Sequence, residues 1–297
     1  MTASGTRPLI FVDGLDVTYA PDDFPFPDLN TLLLSAGFAV SASFEDSGKL
    51  YRTPDQRGTV KLDQRSRFAR ASASGSACFH LRGCRLWDDY LMVLASSPHT
   101  VTKLDATLDL PMDGADLVDL MRKTYASGSV SLGRKAISTS VVLGVRADGR
   151  ESGTWYAGYG SSAKATAKVY DKAKQLLDRY GEVVPPRARV EVTAKKGYGA
   201  TLRDAAMPES IFWNIASPAL LRAPEGVAMW TPDTDGGWQS ERREFVPAQV
   251  LKNRIENSGE LDALIALAQS FQGGMGVLRH LLNKRLTAAE ESASDIA

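Results

Sequence analysis

A strict two-residue alternation recurs in three segments of this 297-residue chain and constrains its fold more than any other feature. In Thr102–Leu110, Leu104, Ala106, Leu108 and Leu110 alternate with Lys103, Asp105, Thr107 and Asp109. In Arg187–Ala194, Ala188, Val190, Val192 and Ala194 alternate with Arg187, Arg189, Glu191 and Thr193. In Lys164–Lys172, Ala165, Ala167 and Val169 alternate with Thr166, Lys168, Tyr170 and Lys172. Successive side chains of a strand point to opposite faces, so each segment reads as a strand with one apolar and one polar face. Such strands suit an antiparallel sheet covered on one side.

The remaining pattern supplies the cover. Residues 8–19 read as a strand, 22–28 as a loop, and a short helix runs through Leu32–Leu34, capped by Asp28 or Asn30. Residues 38–82 read as several short strands with turns at Ser47-Gly48 and Gln56-Arg57-Gly58. Leu86, Trp87, Tyr90, Leu91 and Leu94 have helical spacing, as do Leu117, Leu120 and Met121. Further strands are expected near 138–147 and 153–159, and a short helix ends at Tyr180. The fold class is therefore α+β, mostly antiparallel with inserted helices. After the Pro/Gly-rich stretch at 231–237 the chain reads as three helices, Val246–Ile255, Leu261–Phe271 and Val277–Leu286. The expected division is a catalytic domain over 1–235 and a helical C-terminal region over 236–297.

Several chemistries are disfavoured. No apolar run approaches the roughly 20 residues of a membrane span. Met1–Arg7 leads into a strand without the apolar core of a signal peptide, so the expected location is the cytoplasm. Cys78, Cys84, His80, His99 and His280 make no CxxC or HxxxH spacing, and the strand-like Cys78-x-His80 pair reads as core packing. A metal here would be held mainly by carboxylates, which favours Mg²⁺ or Mn²⁺. Gly236-Gly237 and Gly273-Gly274 match neither a P-loop nor a dinucleotide fingerprint.

If the alternating strands are neighbours, their polar faces bring Asp105, Asp109 and Glu191 near Tyr170, Lys172 and Arg189. Carboxylates can coordinate a metal that acts as a Lewis acid on a phosphoryl oxygen. A tyrosine hydroxyl can attack phosphorus, and Lys and Arg can stabilise the equatorial oxygens. The bland alternative is three half-buried strands with solvated faces. The balance of 35 Lys+Arg against 35 Asp+Glu conceals local asymmetry. Arg52–Arg70 holds six bases and two acids, Lys164–Arg189 seven and three, and Val101–Leu120 one and five. Basic stretches beside an acidic one suit a metal-dependent enzyme acting on a polyanion.

Gly153-Thr154-Trp155-Tyr156-Ala157-Gly158-Tyr159-Gly160-Ser161-Ser162, followed by Lys168-Val169-Tyr170-Asp171-Lys172, resembles the core of the replication initiation factors of rolling-circle plasmids and filamentous phages, with the related relaxases of integrative elements. Ala188–Val192 resembles that family's Arg-hydrophobic-Glu strand, Val101–Asp109 its Asp-bearing strand, and Val12–Thr18 its first strand. The matches keep the family's order over residues 10 to 222. Lys103 and Lys168 stand where the family more often has Arg, and Lys lacks the bidentate fork.

The resemblance implies a DNA nickase. Tyr170 would attack a phosphodiester at the origin, leaving a 5′-phosphotyrosine link and a free 3′-OH. Asp105, Asp109 and Glu191 would hold Mg²⁺ or Mn²⁺, while Lys172 and Arg189 stabilise charge. Tyr156 and Tyr159 remain alternative nucleophiles. The expected partners are single-stranded or cruciform origin DNA, host helicase and polymerase, and a second copy of the chain, since initiation and closure can use two tyrosines. Two other readings stay open: a non-catalytic sequence-specific DNA-binding protein, and a metal-dependent nuclease that uses water.

Overall fold

The alternating segments are strands of one antiparallel sheet. The computed structural model describes residues 9–44, 48–132, 135–145, 151–158, 163–217, 219–224, 227, 259–269 and 274–294. The strands are β1 (Ile10–Tyr19), β2 (Ala39–Phe44), β3 (Gly48–Arg52), β4 (Thr59–Gln64), β5 (Ala69–Ser74), β6 (His99–Leu110), β7 (Ser129–Leu132), β8 (Lys135–Val145), β9 (Glu151–Ala157), β10 (Ala165–Asp171) and β11 (Ala188–Lys195). They lie in the order β2-β3-β4-β5-β1-β6-β11-β10-β9-β8-β7. The last strand in sequence thus stands between β6 and β10, at the centre.

The helices are α1 (Phe26–Ser35), α2 (Gly75–Gly83), α3 (Trp87–Ala95), α4 (Gly114–Thr124), α5 (Lys172–Tyr180), α6 (Leu202–Ala206) and α7 (Glu209–Ala216), with α8 (Gly259–Gln269) and α9 (Gly274–Ser294) near the C-terminus. The α+β class and the C-terminal helices agree with expectation. The first of the three expected C-terminal helices, and the expected boundary at residue 235, lie outside the described residues. The chain forms two units, Met1–Glu244 and Phe245–Ala297. Among the described residues no helix is long and apolar enough to cross a membrane.

One face of the sheet is the core. Leu104, Ala106, Leu108, Val190, Val192, Ala167 and Val169 are buried there. Helix α4 packs on β9, β10 and β11, and α7 packs on β1, β6 and β11. They bring the buried Leu117, Val118 and Met121 of α4 and Ile211, Phe212 and Ile215 of α7. Tyr125, just past α4, stacks on Trp155 of β9 with ring centroids 5.6 Å apart. Leu120, read as part of the apolar stripe, is instead exposed. Asp113 caps α4 by accepting a hydrogen bond from the Ala115 amide at 2.8 Å. The first residue of α4 is Gly114, where a Cβ would run into the backbone of Asp171.

Two local readings are corrected. The segment holding Cys78 and His80 is helix α2, not a strand: Ala77, Cys78 and Leu81 are its buried side, at helical spacing. Strand β10 ends at Asp171, so Lys172 opens α5 rather than continuing the polar face of the strand. Asp171 causes this break, because its carboxylate accepts from the Lys174 amide at 3.0 Å and caps the helix.

Candidate active site on the polar face

The second face of the central strands is polar, and its register can be read directly. Tyr170 lies opposite Arg189, and Arg189 opposite Asp109. One rung along, Lys168 lies opposite Glu191, and Glu191 opposite Thr107. The next rung pairs Thr166 with Thr193, and Thr193 with Asp105. The three alternating strands are therefore neighbours, with β11 as the middle member.

Arg189 is the hub of the first rung. Its Nε donates to Asp109 Oδ1 at 2.6 Å and its Nη2 to Asp109 Oδ2 at 2.9 Å. Its Nη1 donates to Asp13 Oδ2 at 3.1 Å. The guanidinium lies 5.3 Å from the ring centre of Phe11. Burial works against the Arg189 charge, but the hydrogen bonds to Asp109 and the neighbouring acids hold it firmly protonated. Asp13 reaches this rung because β1 has an irregularity between Val12 and Gly14, which inserts one residue opposite β6.

The second rung carries a buried carboxyl, Glu191. The Tyr170 hydroxyl donates to Glu191 Oε2 at 3.4 Å, and Lys168 Nζ sits 2.7 Å from Glu191 Oε1. Glu191 is only 4% exposed. Burial pushes its carboxyl up to about 6, against the pull of the Lys168 ammonium. Burial also raises the Tyr170 hydroxyl well above its ordinary value, and the Glu191 charge adds to this. A carboxyl raised toward neutral pH within hydrogen-bond reach of a hydroxyl can serve as a general base, while the raised hydroxyl opposes its own ionisation. Lys172 is held below the ordinary lysine range, first by burial and then by Arg189. Its Nζ donates to Gln175 at 2.7 Å.

The three expected metal ligands do not converge. Asp105 and Asp109 share a face but stand four residues apart on one strand, about 13 Å at the usual rise. Asp105 accepts from Thr193 Oγ1 at 2.7 Å and pairs with Lys103. Asp109 is taken by Arg189, and Glu191 by Lys168. Among the described residues no three His, Cys, Asp or Glu side chains are grouped so as to hold a metal. The expectation of Asp105, Asp109 and Glu191 as one ligand set is corrected accordingly: each is paired with a cation, Asp105 with Lys103, Glu191 with Lys168, and Asp109 with an Arg189 that Asp13 shares. A Mg²⁺ or Mn²⁺ ion held by all three does not fit this geometry.

The other candidate tyrosines separate. Tyr156 lies on β9 opposite Lys168, one strand farther from Arg189 than Tyr170. Tyr159 is outside the described residues. The residue that sequence reasoning did not select is Asp13. Its signal was the Gly14 that follows it, since glycine inside a strand often marks a bulge.

No protein-family model matches the chain, and no curated protein matches its sequence. Among solved structures, the chain aligns with a rolling circle replication initiator protein from Geobacillus stearothermophilus. The two are 15% identical, the alignment covers 68% of this chain and 82% of that one, and the TM-score is 0.45.

Proposed function

We propose that the chain nicks and rejoins single-stranded DNA as an initiator of rolling-circle replication, with Tyr170 as nucleophile and Glu191 as its base. The observation that carries this reading is the 3.4 Å hydrogen bond from the Tyr170 hydroxyl to Glu191, one rung from Arg189. In the proposed step the Tyr170 oxygen bonds to phosphorus and its proton passes to Glu191. The bond from phosphorus to the 3′ oxygen breaks, leaving a 5′-phosphotyrosine and a strand ending in a 3′-OH. Arg189 stabilises the charge on the equatorial oxygens. Lys172, more acidic than an ordinary lysine, supplies the proton taken by the leaving 3′ oxygen. Each of these roles falls to a group of the chain itself.

The test is incubation of the full chain with single-stranded origin DNA, with Mn²⁺ present, followed by denaturing electrophoresis. Expected are a covalent protein–DNA adduct in the wild type and its loss in Tyr170→Phe. Adduct retained in full by Tyr170→Phe would sink the assignment of the nucleophile. Cleavage without an adduct would favour a nuclease that uses water, and binding without cleavage a non-catalytic DNA-binding protein.

A further inference from the structure

Helix α2 stands where strand β5 stops. Among the described residues β5 pairs with β1 over Gly14–Tyr19, and the first residues of β1 have no strand on that side. α2 follows β5 directly and takes the vacant place: Arg82 Nη1 donates to the Val12 carbonyl at 3.1 Å. At the other end of the helix, a Cβ on Gly75 would collide with the Asp13 carboxylate. Gly75, Phe79 and Arg82 are spaced i, i+4, i+7 and share one flank of the helix. Since Gly75 and Arg82 both meet β1, that flank borders the rung of Asp13 and Arg189.

Phe79 lies on this flank, one helical turn (about 5.4 Å) beyond Gly75. It is 73% exposed. Single exposed apolar side chains are ordinary, but this one lies one turn from Gly75, which abuts the Asp13 carboxylate that Arg189 holds. Lys103, Lys168, Lys172, Arg187 and Arg189 outnumber Asp13, Asp105, Asp109 and Glu191 on this face by one positive charge, which suits a phosphate. An aromatic ring beside a phosphate-binding cation is the pairing with which proteins hold single strands: the cation takes the backbone and the ring takes a base.

We propose that Phe79 is a stacking platform for a nucleobase of single-stranded DNA, one whose phosphate lies at Arg189. The ligand class rests on the function proposed above; the platform itself makes a separate claim about bases. Phe79 acts in binding and touches no reacting atom.

The experiment measures binding of the full chain to a fluorescein-labelled oligodeoxythymidine strand and to a strand of the same length made of abasic residues. Phe79→Ala and Phe79→Leu should each weaken binding of the base-bearing strand by about tenfold and leave the abasic strand unchanged. Phe79→Trp should retain affinity, and its indole emission should be quenched as the base-bearing strand binds. All three variants should melt with the wild type, because the ring is exposed. Wild-type affinity in Phe79→Leu, or equal losses on both strands, would overturn the platform. If adducts form at Tyr170 yet the Phe79 variants bind normally, the platform alone fails. If the Phe79 pattern holds but no adduct forms, the nicking reading alone fails. A wild type that binds neither strand overturns both.

Discussion

Arg189 grips Asp109 through two parallel hydrogen bonds, 2.6 and 2.9 Å long, across the pairing of β11 with β6. A guanidinium makes this fork and an ammonium cannot. Arg189 is 5% exposed, while the Asp109 and Asp13 side chains it serves each keep 21% of their surface. Arg189→Met should cost about 2–3 kcal/mol of stability, by leaving two half-buried acids without this cation. Arg189→Lys keeps the charge but loses the fork, and should cost roughly 1–2 kcal/mol. Urea denaturation of the three proteins checks the order.

Glu191 links stability and activity to pH with opposite signs. Its carboxyl is raised from 4.5 to about 6 in the folded chain, principally by burial. The protonated form therefore favours folding: this contribution is complete below about pH 4.5 and is lost as pH rises through about 6. The charged groups around Glu191 include Lys168, Lys172, Lys103, Asp105 and Asp13, with the Tyr170 hydroxyl alongside. Glu191→Gln should remove that part of the pH dependence of the melting temperature. Adduct formation should run the other way, rising as Glu191 ionises near pH 6, and this limb should vanish in Glu191→Gln. A profile unchanged by the substitution would remove Glu191 from the role of base.

Lys168 tunes that base. Its ammonium lowers the Glu191 carboxyl, so Lys168→Met should move the rising limb of adduct formation to higher pH. A limb that stayed in place, measured by single-turnover assays across pH 5–8, would show that the 2.7 Å pair does not set the titration.

Thr107 sits at the centre of the polar face, fully buried, and its hydroxyl has no hydrogen-bond partner among the described residues. A buried unpaired hydroxyl carries a desolvation cost with nothing to offset it. Thr107→Val, nearly the same shape, should leave stability unchanged or raise it by up to about 1 kcal/mol. A loss of more than this in thermal unfolding would mean that the hydroxyl is satisfied by an ordered water.

Gly114 lets α4 start against the end of β10. Gly114→Ala must push the helix from the Asp171 backbone, and overpacking of this kind typically costs about 1–3 kcal/mol. Since Asp171 follows Tyr170 directly, the same substitution should lower adduct yield more than the lost stability explains. Yield per folded molecule, compared with the wild type, separates the two effects.

Alternation was the legible part of this fold. It marked β6, β10 and β11, and it put Tyr170, Arg189, Glu191 and Asp109 on polar faces that the register then aligned. The error over the metal came from the same pattern. Sharing a face is not sharing a place: period two puts Asp105 and Asp109 on one side, while the strand rise holds them about 13 Å apart. Lys103, two residues from Asp105, was already available as its partner. Asp13 was hidden because a bulge breaks the period that reveals strand faces. Helix α2 was misread because nine residues rich in small side chains fit either period. The position of β11 between β6 and β10 depends on long-range pairing, about which local pattern is silent.

That position sets when in the life of the chain the site can exist. Strands β7 to β10 are joined by short connections and pair with their neighbours in sequence, as β2 to β5 do. Strand β11 instead closes the seam between β6 and β10, and it brings both Arg189 and Glu191. Non-local pairing of this kind carries the entropy of closing a long loop and comes late. A ribosome-bound chain that has not yet emerged to residue 195 holds Tyr170 without Arg189 and Glu191 paired beside it. Assembly of the centre is thus deferred until the sheet is nearly complete, and a translation product interrupted before β11 lacks both Arg189 and Glu191.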